Sequence, residues 1–432
     1  MSTIVAPLTP VQRSAVILLR VSGPQVKKLF SLFNAAPKPR VSTLCRYISK
    51  SKPSVRDDLL LTYFEAPNSY TGEDVLELSF HGNPMIVHAA VTDMLTLGVR
   101  LAEPGEFTKR AYLNGKITLP QAEAVDALIR AQSASGVSVA KSTLDGRLDG
   151  IFYEIRNGLI KITAELEAYI DFSEEQPNIL KSVTEFSVRL QKLADNFNSA
   201  RLAVNGVRVV IVGAPNAGKS TLFNLLAGRE RAIVSDEAGT TRDILLENVS
   251  INGVIFALTD TAGVRVSGSK AERAGVLRAI EAADEADIIL VLVDATEKFS
   301  DEATQLLKST EGKNRIIVAT KCDLVSADAV LFKHDILISA ADGANIGRLK
   351  EMLTSASAEL LQDVNDCAIL TERQLHECLL CLKELSYISN GQTEDIQAYH
   401  LRGAVQALDR SMGVFAGEDI LDEIFSRFCI GK

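Results

Sequence analysis

The rhythm of apolar and polar positions changes three times along the chain. From residue 1 to about 117, short apolar runs alternate with stretches of Pro, Gly, Asn and Ser. Residues 16–21 and 59–64 are runs of strand length, and residues 75–80 alternate as a half-buried strand does. Ile86, Ala89, Ala90, Met94 and Leu97 predict a helix over 84–97. From about 120 to 204 the spacing is helical, through Ala122, Val125, Leu128, Ile129 and Ala131. It continues through Leu144, Ile151, Ile155, Leu159, Ile162, Leu166 and Ile170. Near 205 an apolar run at 207–212, interrupted only by Arg208, marks a strand buried on both faces. Similar runs at 255–258, 288–293, 316–320 and 336–338 are mostly separated by helical stretches. That alternation predicts a mostly parallel sheet with helices on both faces, ending near 362. Leu375, Cys378, Leu379, Leu382 and Leu385 form one later helical stripe, and Leu401, Val405 and Leu408 another.

The expected architecture is multidomain α/β. An α+β domain (1–118) precedes a helical domain in two parts (119–205 and 363–432). A nucleotide-binding α/β domain (206–362) is inserted between those parts. The chain length of 432 suits several domains, and 47% apolar residues is enough for well-buried cores.

A net charge of −9 argues against binding nucleic acid or membrane by bulk charge. Residues 27–56 run the other way. They hold eight basic residues (Lys27, Lys28, Lys38, Arg40, Arg46, Lys50, Lys52, Arg56) and no acidic one. Two readings stay open, solvated strand and loop faces or an RNA-facing surface. The six cysteines follow no disulfide-framework spacing. With no signal peptide and no bilayer-length apolar run, the expectation is a reduced, soluble, cytoplasmic protein with no membrane partner.

Gly213-Ala-Pro-Asn-Ala-Gly218-Lys219-Ser220 follows a predicted strand and opens a predicted helix. This is the phosphate-binding loop in the context it requires. Asn216, Ala217, Gly218, Lys219, Ser220 and Thr221 are expected around the phosphates, with Ser220 on Mg²⁺. Gly239-Thr240-Thr241-Arg242-Asp243 occupies the first switch position, where Thr241 would complete the Mg²⁺ shell. Asp260-Thr261-Ala262-Gly263 supplies the water-mediated Mg²⁺ ligand and the γ-phosphate sensor. Thr320-Lys321-Cys322-Asp323 and Ser339-Ala340 are expected at guanine, with Asp323 accepting from its N1–H and N2 amine. The ordered set predicts a GTPase. Thr320 departs from the usual Asn, as it does in Rho-type GTPases.

Val264 stands where Ras-like enzymes place the glutamine that orients water. Help is expected from the second switch, with Arg265, Glu272 and Arg273 as candidates. A solvated switch residue is the other reading of Glu272. Asn216 has two readings as well, an ordinary loop residue or a ligand for a monovalent cation.

End to end, the chain resembles the bacterial tRNA modification GTPase family MnmE, also called TrmE. The landmarks are Tyr70-Thr-Gly-Glu-Asp-Val-Leu-Glu77, Pro104-Gly-Glu-Phe-Thr-Lys-Arg-Ala-Tyr-Leu-Asn-Gly-Lys116, Gln121-Ala-Glu-Ala-Val125 and Cys429-Ile-Gly-Lys432. The resemblance implies an N-terminal domain that dimerises and binds a 5-formyl- or methylene-tetrahydrofolate through Arg20, Glu77, Lys116 and Lys432. It implies a K⁺ ion held by Asn216 with Ser235, Glu237 and Thr240, in a loop 235–241 that includes Asp236 and Ala238. It assigns Glu272 as the catalytic glutamate and Cys429 as a catalytic candidate; packing beside Phe428 and Ile430 is the other reading of that cysteine. It further implies a homodimer, a heterotetramer with an FAD-dependent MnmG-type flavoprotein, and tRNA as substrate. A carboxymethylaminomethyl-type group would be added at C5 of the wobble uridine, with GTP hydrolysis activated by K⁺-dependent pairing of G domains. Gln12 and Ser14 stand where the family has glycines around Arg13, so that loop is less free to take positive φ.

Cys378 and Cys381 fall on an apolar helical stripe, which predicts core packing rather than zinc. His81 is expected either to face a ligand or to be structural. The competing functions are a ribosome-assembly GTPase switch and a folate-binding scaffold with a degenerate G domain. The intact Lys219, Ser220, Asp260 and Asp323 argue against the latter.

Overall fold

The computed structural model describes residues 2–34, 36–172, 178–229, 245–260, 280–297, 301–325, 330, 332–361, 367–389, 392–414 and 416–432. The chain divides into two compact units. One comprises Met1–Asp126, Leu144–Ser187 and His376–Lys432; the other comprises Ala127–Thr143 and Val188–Leu375. Among the described residues no helix is long and apolar enough to cross a membrane.

The first unit begins with strands β1 (Ile4–Pro7), β2 (Val16–Ser22), β3 (Thr43–Ile48), β4 (Arg56–Phe64), β5 (Val75–His81) and β6 (Arg100–Leu101). They form one sheet in the order β3-β4-β5-β2-β1-β6, antiparallel except for the β1–β6 edge. Strand alternation sends Ile17, Leu19, Leu59, Leu61, Leu76, Leu78 and Phe80 to one face. There they bury against Val87, Ala90 and Met94 of α1 (Pro84–Thr96). Asn83 caps that helix by accepting from the Met85 N–H, with Pro84 at its first turn. The other face leaves Val16, Leu44 and Leu60 exposed.

Helices α2 (Glu106–Leu113) and α3 (Leu119–Arg130) follow, then α4 (Ala134–Leu144) and α5 (Arg147–Phe172). After α6 (Ile179–Asp195) and α7 (Phe197–Asn205), the second unit's sheet begins with β7 (Val207–Gly213), followed by α8 (Lys219–Arg229). It continues through β8 (Leu245–Ile251), β9 (Val254–Asp260), β10 (Ile288–Asp294), α9 (Asp301–Ser309), β11 (Arg315–Thr320), β12 (Ile336–Leu337) and α10 (Ile346–Leu360). The order is β12-β11-β10-β7-β9-β8, parallel except for β8. Val209, Ile211, Leu290 and Leu292 bury against Leu222 and Leu226 of α8 and Leu349 and Leu353 of α10. Val210, Val212, Ile289 and Val291 bury on the opposite face with Leu306 of α9. Burial on both faces is why those strands read as apolar runs.

The chain ends with α11 (Glu372–Ser386), α12 (Glu394–Ser411) and α13 (Glu418–Ser426). Helices α5 and α12 pack together, tied by Arg156–Asp409 at 2.5 Å and by Arg402 Nε to Glu167 at 3.0 Å. Helical segments from both flanks of the α/β domain therefore meet. On α11 the buried stripe is Gln374, Cys378, Cys381 and Leu385. Leu379, expected on that stripe, is 46% exposed. A step of one residue from Cys378 turns about 100° around a helix, which carries Leu379 off the buried face.

Candidate functional site

The carboxyl ends of four strands converge in the second unit. Gly213 ends β7, Asp260 ends β9, Asp294 ends β10 and Thr320 ends β11. Cα register aligns Ile211 with Asp260, Leu292 with Gly213, and Asp294 with Thr320. Ligands of open parallel sheets bind at this edge. The loop from Gly213 to α8 turns through Asn216 at φ 63 and Gly218 at φ 88. Such turns direct successive N–H groups into one concavity, which suits phosphate oxygens. Lys219 folds its ammonium back onto the carbonyls of Gly213 (2.9 Å) and Ala214 (2.8 Å). Asn216, Ser220 and Thr221 are exposed, and Ala217 is buried. Ser220, exposed in the first turn of α8, carries a hydroxyl of the kind Mg²⁺ takes as a ligand.

The guanine side is built on β11. Thr320 is buried, and its hydroxyl donates to the Ala217 carbonyl at 2.9 Å. Lys321 takes φ 63 and pairs with Asp294. Burial raises the Asp294 carboxyl, but Lys321 and two bonds from Thr296 outweigh that and hold it below the ordinary range. Cys322 donates its N–H to the Ile338 carbonyl at 3.1 Å, which leaves Asp323 exposed beside Ser339 and Ala340. Ser339 is fully buried and caps its own turn, accepting from Asp342 N–H and Gly343 N–H.

Ser235, Asp236, Glu237, Ala238, Gly239, Thr240 and Thr241 lie outside the described residues, as do Thr261, Ala262, Gly263 and Glu272.

A second constellation forms in the first unit. Arg20 on β2 and Glu77 on β5 face each other in register, with Arg20 Nε and Nη2 donating to Glu77 Oε1 at 3.0 and 2.8 Å. The guanidinium lies 5.1 Å from the Tyr70 ring centre and 5.7 Å from that of Phe107. The C-terminal tail joins them, for Phe107 N–H donates to the Lys432 carbonyl at 3.0 Å. Burial, then the charge of Arg20, push the Lys432 ammonium below the ordinary lysine range; Cys429 and Glu77 act the other way. Two cations against one carboxylate in a half-buried place suit an anionic ligand. Gly431 lets the tail approach, since at φ 99 a Cβ would lie 2.3 Å from the Pro7 carbonyl oxygen. Cys429 is exposed, so the thiol is not core packing; Phe428 beside it is buried. Lys116 is exposed with its stem against Gly72.

Sequence reasoning missed what holds this constellation. Arg110 is buried between Glu73 (2.9 Å) and Glu106 (2.8 Å). Ser22 donates to Glu73 at 2.7 Å, Tyr70 and Thr108 share a 2.9 Å hydroxyl bond, and Asn114 donates to the Thr71 carbonyl at 2.7 Å. The segments 70–77 and 104–116 thus interlock. An Arg three residues after Phe107 in a polar-apolar helix gave no local hint of burial. His81 is exposed, with its Nδ1 2.6 Å from the buried Asp57. Among the described residues no cluster could hold a metal through His, Cys, Asp and Glu, and Cys378 and Cys381 are core.

The strand–loop–helix, the sheet order and the ends of β10 and β11 define a P-loop GTPase domain carried on a larger chain. That chain belongs to the MnmE family of tRNA modification GTPases. The family described as "GTP-binding protein TrmE N-terminus" matches residues 3–116, and the "MnmE helical domain" matches residues 119–429. The tRNA modification GTPase MnmE of Pseudothermotoga lettingae is 36% identical over 449 aligned residues, covering 100% of this chain and 99% of the relative. That of Aquifex aeolicus is 38% identical, covering 99% of each.

Proposed function

We propose that the protein hydrolyses GTP to drive addition of a carboxymethylaminomethyl-type group to C5 of the wobble uridine of certain tRNAs. It does so as a homodimer, in the cytoplasm, with an FAD-dependent MnmG-type flavoprotein. The observation that carries this reading is the joining of Arg20, Glu77 and Lys432, residues from both ends of the chain, into one anion-suited site. A ribosome-assembly switch has no need of it. Arg20, Lys116 and Lys432 would hold the glutamate carboxylates of 5-formyl- or methylene-tetrahydrofolate, and Glu77 the pterin N–H edge. The folate supplies a one-carbon unit. The exposed apolar face of β2, β3 and β4 supports self-association of this domain. All six cysteines are free, which favours a reducing compartment. The working division remains 1–118 for folate binding and dimerisation, 119–205 with 363–432 for the helical domain, and 206–362 for the GTPase.

In the G domain, Lys219 and the loop N–H groups cradle phosphate, Ser220 and Thr241 hold Mg²⁺, and Asp323 selects guanine. Asn216, with Ser235, Glu237 and Thr240, holds K⁺ when two G domains pair, and Glu272 orients water. The test is GTPase rate against protein concentration in KCl and in NaCl, for wild type and Glu272→Ala. A K⁺-specific rate lost in Glu272→Ala while GTP binding persists supports the mechanism. Equal rates in both salts, or an unaffected variant, sink it. Mass spectrometry of tRNA nucleosides from cells carrying Lys219→Ala tests the reaction, since loss of the C5 modification is required.

A further inference from the structure

Of the eight basic residues in the run 27–56, three are engaged by neighbours, three gather at one turn, and Lys28 and Lys38 are exposed outside that turn. Lys27 pairs with Glu65 and Asp74, Arg40 donates to the Asn68 carbonyl, and Arg46 pairs with Asp58. Lys50, Lys52 and Arg56 are exposed, and no ion pair within 4 Å is found for them among the described residues. Arg56 stands near Asp58, but Arg46 takes both oxygens of that carboxylate, at 2.7 and 3.4 Å. The next acid, Asp57, is buried and engaged by His81.

These three cations crown the turn joining β3 to β4, and the turn is built rather than loose. Buried Asp93 on α1 accepts from Tyr47 OH (2.7 Å), Lys50 N–H (2.8 Å) and Ser51 N–H (3.0 Å). Burial raises the Asp93 carboxyl, but these bonds outweigh it and hold it at about 2. Ser49 Oγ accepts from Lys52 N–H at 3.1 Å, and Ser49 N–H donates to the Val55 carbonyl at 2.9 Å. A fixed turn presents its charges without the ordering cost a flexible loop has on binding. The chain as a whole carries −9, so a polyanion is repelled unless it meets a local cluster of this kind.

We propose that the β3–β4 turn, through Lys50, Lys52 and Arg56, contacts the phosphate backbone of RNA. The proposal rests on the reading that tRNA is the substrate. The contact is to phosphate and carries affinity and placement, not base sequence.

The test uses the full chain and a fluorescent tRNA transcript with uridine at the wobble position, titrated over a range of KCl concentrations. The variant Lys50→Gln/Lys52→Gln/Arg56→Gln is compared with Lys28→Gln/Lys38→Gln, which removes two exposed charges elsewhere. At low salt the triple variant binds tRNA about tenfold or more weakly. The slope of log affinity against log salt falls by about 2, for three contacts at roughly 0.7 each. The control changes less than about twofold, and GTP hydrolysis without tRNA is the same in all three. An unchanged triple variant overturns the proposal while leaving the tRNA reading intact. An equal loss in triple and control also overturns it, because bulk charge then explains the effect. Wild-type protein that does not bind tRNA at all overturns the proposal together with the reading it rests on.

Discussion

The Thr320 hydroxyl donates to the carbonyl of Ala217 at 2.9 Å, joining the guanine end of the nucleotide site to its phosphate loop. An asparagine is usual at this position, and its longer amide can bridge the two loops. Here the threonine hydroxyl makes the link directly, and Ala217 and Thr320 are both buried, at 1% and 3% exposure. Thr320→Val keeps shape and volume but leaves the Ala217 carbonyl without this donor. A lost bond of this kind costs about 1–3 kcal/mol. GTP affinity should therefore fall about tenfold by fluorescent-nucleotide titration, with the fold intact by circular dichroism. An unchanged affinity means the two loops are held together by other contacts.

Arg20 has two tasks at once, pairing with Glu77 and lowering the charge stability of Lys432. An incoming carboxylate relieves the repulsion between the cations, so each cation should matter to binding. Arg20→Gln and Lys432→Gln should each weaken 5-formyl-tetrahydrofolate binding about tenfold or more by calorimetry. A charge-assisted hydrogen bond is worth about 1.5–3 kcal/mol. Basal GTP turnover should be unmoved. Full folate affinity in both variants would remove this constellation from consideration as the folate site.

Arg110 is the buried keystone of the interlocked segments, 3% exposed between Glu73 and Glu106. Glu106 also takes Arg100 at 2.5 Å. Burial raises the Glu106 carboxyl, but Arg100, Glu103 N–H and Arg110 outweigh it. Arg110→Ala would leave Glu73 with no arginine partner in a half-buried place. Breaking a buried pair by removing one member costs about 3–5 kcal/mol. The variant should lower the temperature of the N-terminal unfolding transition and abolish folate binding, while nucleotide binding persists. Thermal unfolding monitored by hydrogen exchange separates the two regions.

How far the sequence revealed this molecule depended on whether a signal was local. Strands buried on both faces announced themselves as apolar runs, and β7, β10 and β11 fell where those runs did. Residues 245–251 gave no such run, because Glu247, Asn248 and Ser250 interrupt them, so the antiparallel edge strand β8 was missed. Its signal was the turn Asn252-Gly253, at φ 51 and 82, which is the two-residue hairpin turn. The nucleotide loop was legible because its chemistry needs contiguous residues. The Arg20–Glu77–Lys432 site was not legible from spacing, since its members are brought together by strand register and by a tail 355 residues beyond Glu77 (432 minus 77). Only the resemblance pointed to it. The basic run looked uniform in sequence, whereas in the fold Asp58, Glu65 and Asp74 neutralise part of it.

Asp149 supplies a test that depends on pH. It is 5% exposed in the first turn of α5, where Oδ2 accepts from the Thr118 hydroxyl at 2.9 Å and Oδ1 has no hydrogen-bond partner among the described residues. Burial pushes its carboxyl up to about 6, with Glu123 adding to the shift and Thr118 opposing it. The folded state therefore binds this proton more tightly than the unfolded chain does. Its contribution is fully favourable below about 4 and is lost as pH rises through about 6. Above that range the buried charge costs about 2–3 kcal/mol. Asp149→Asn keeps an acceptor for Thr118 without the charge. It should raise the unfolding temperature of the wild-type protein at pH 8 and converge with it at pH 4. A difference that stays constant across that range would mean the substitution acts through packing and that Asp149 does not titrate in the fold.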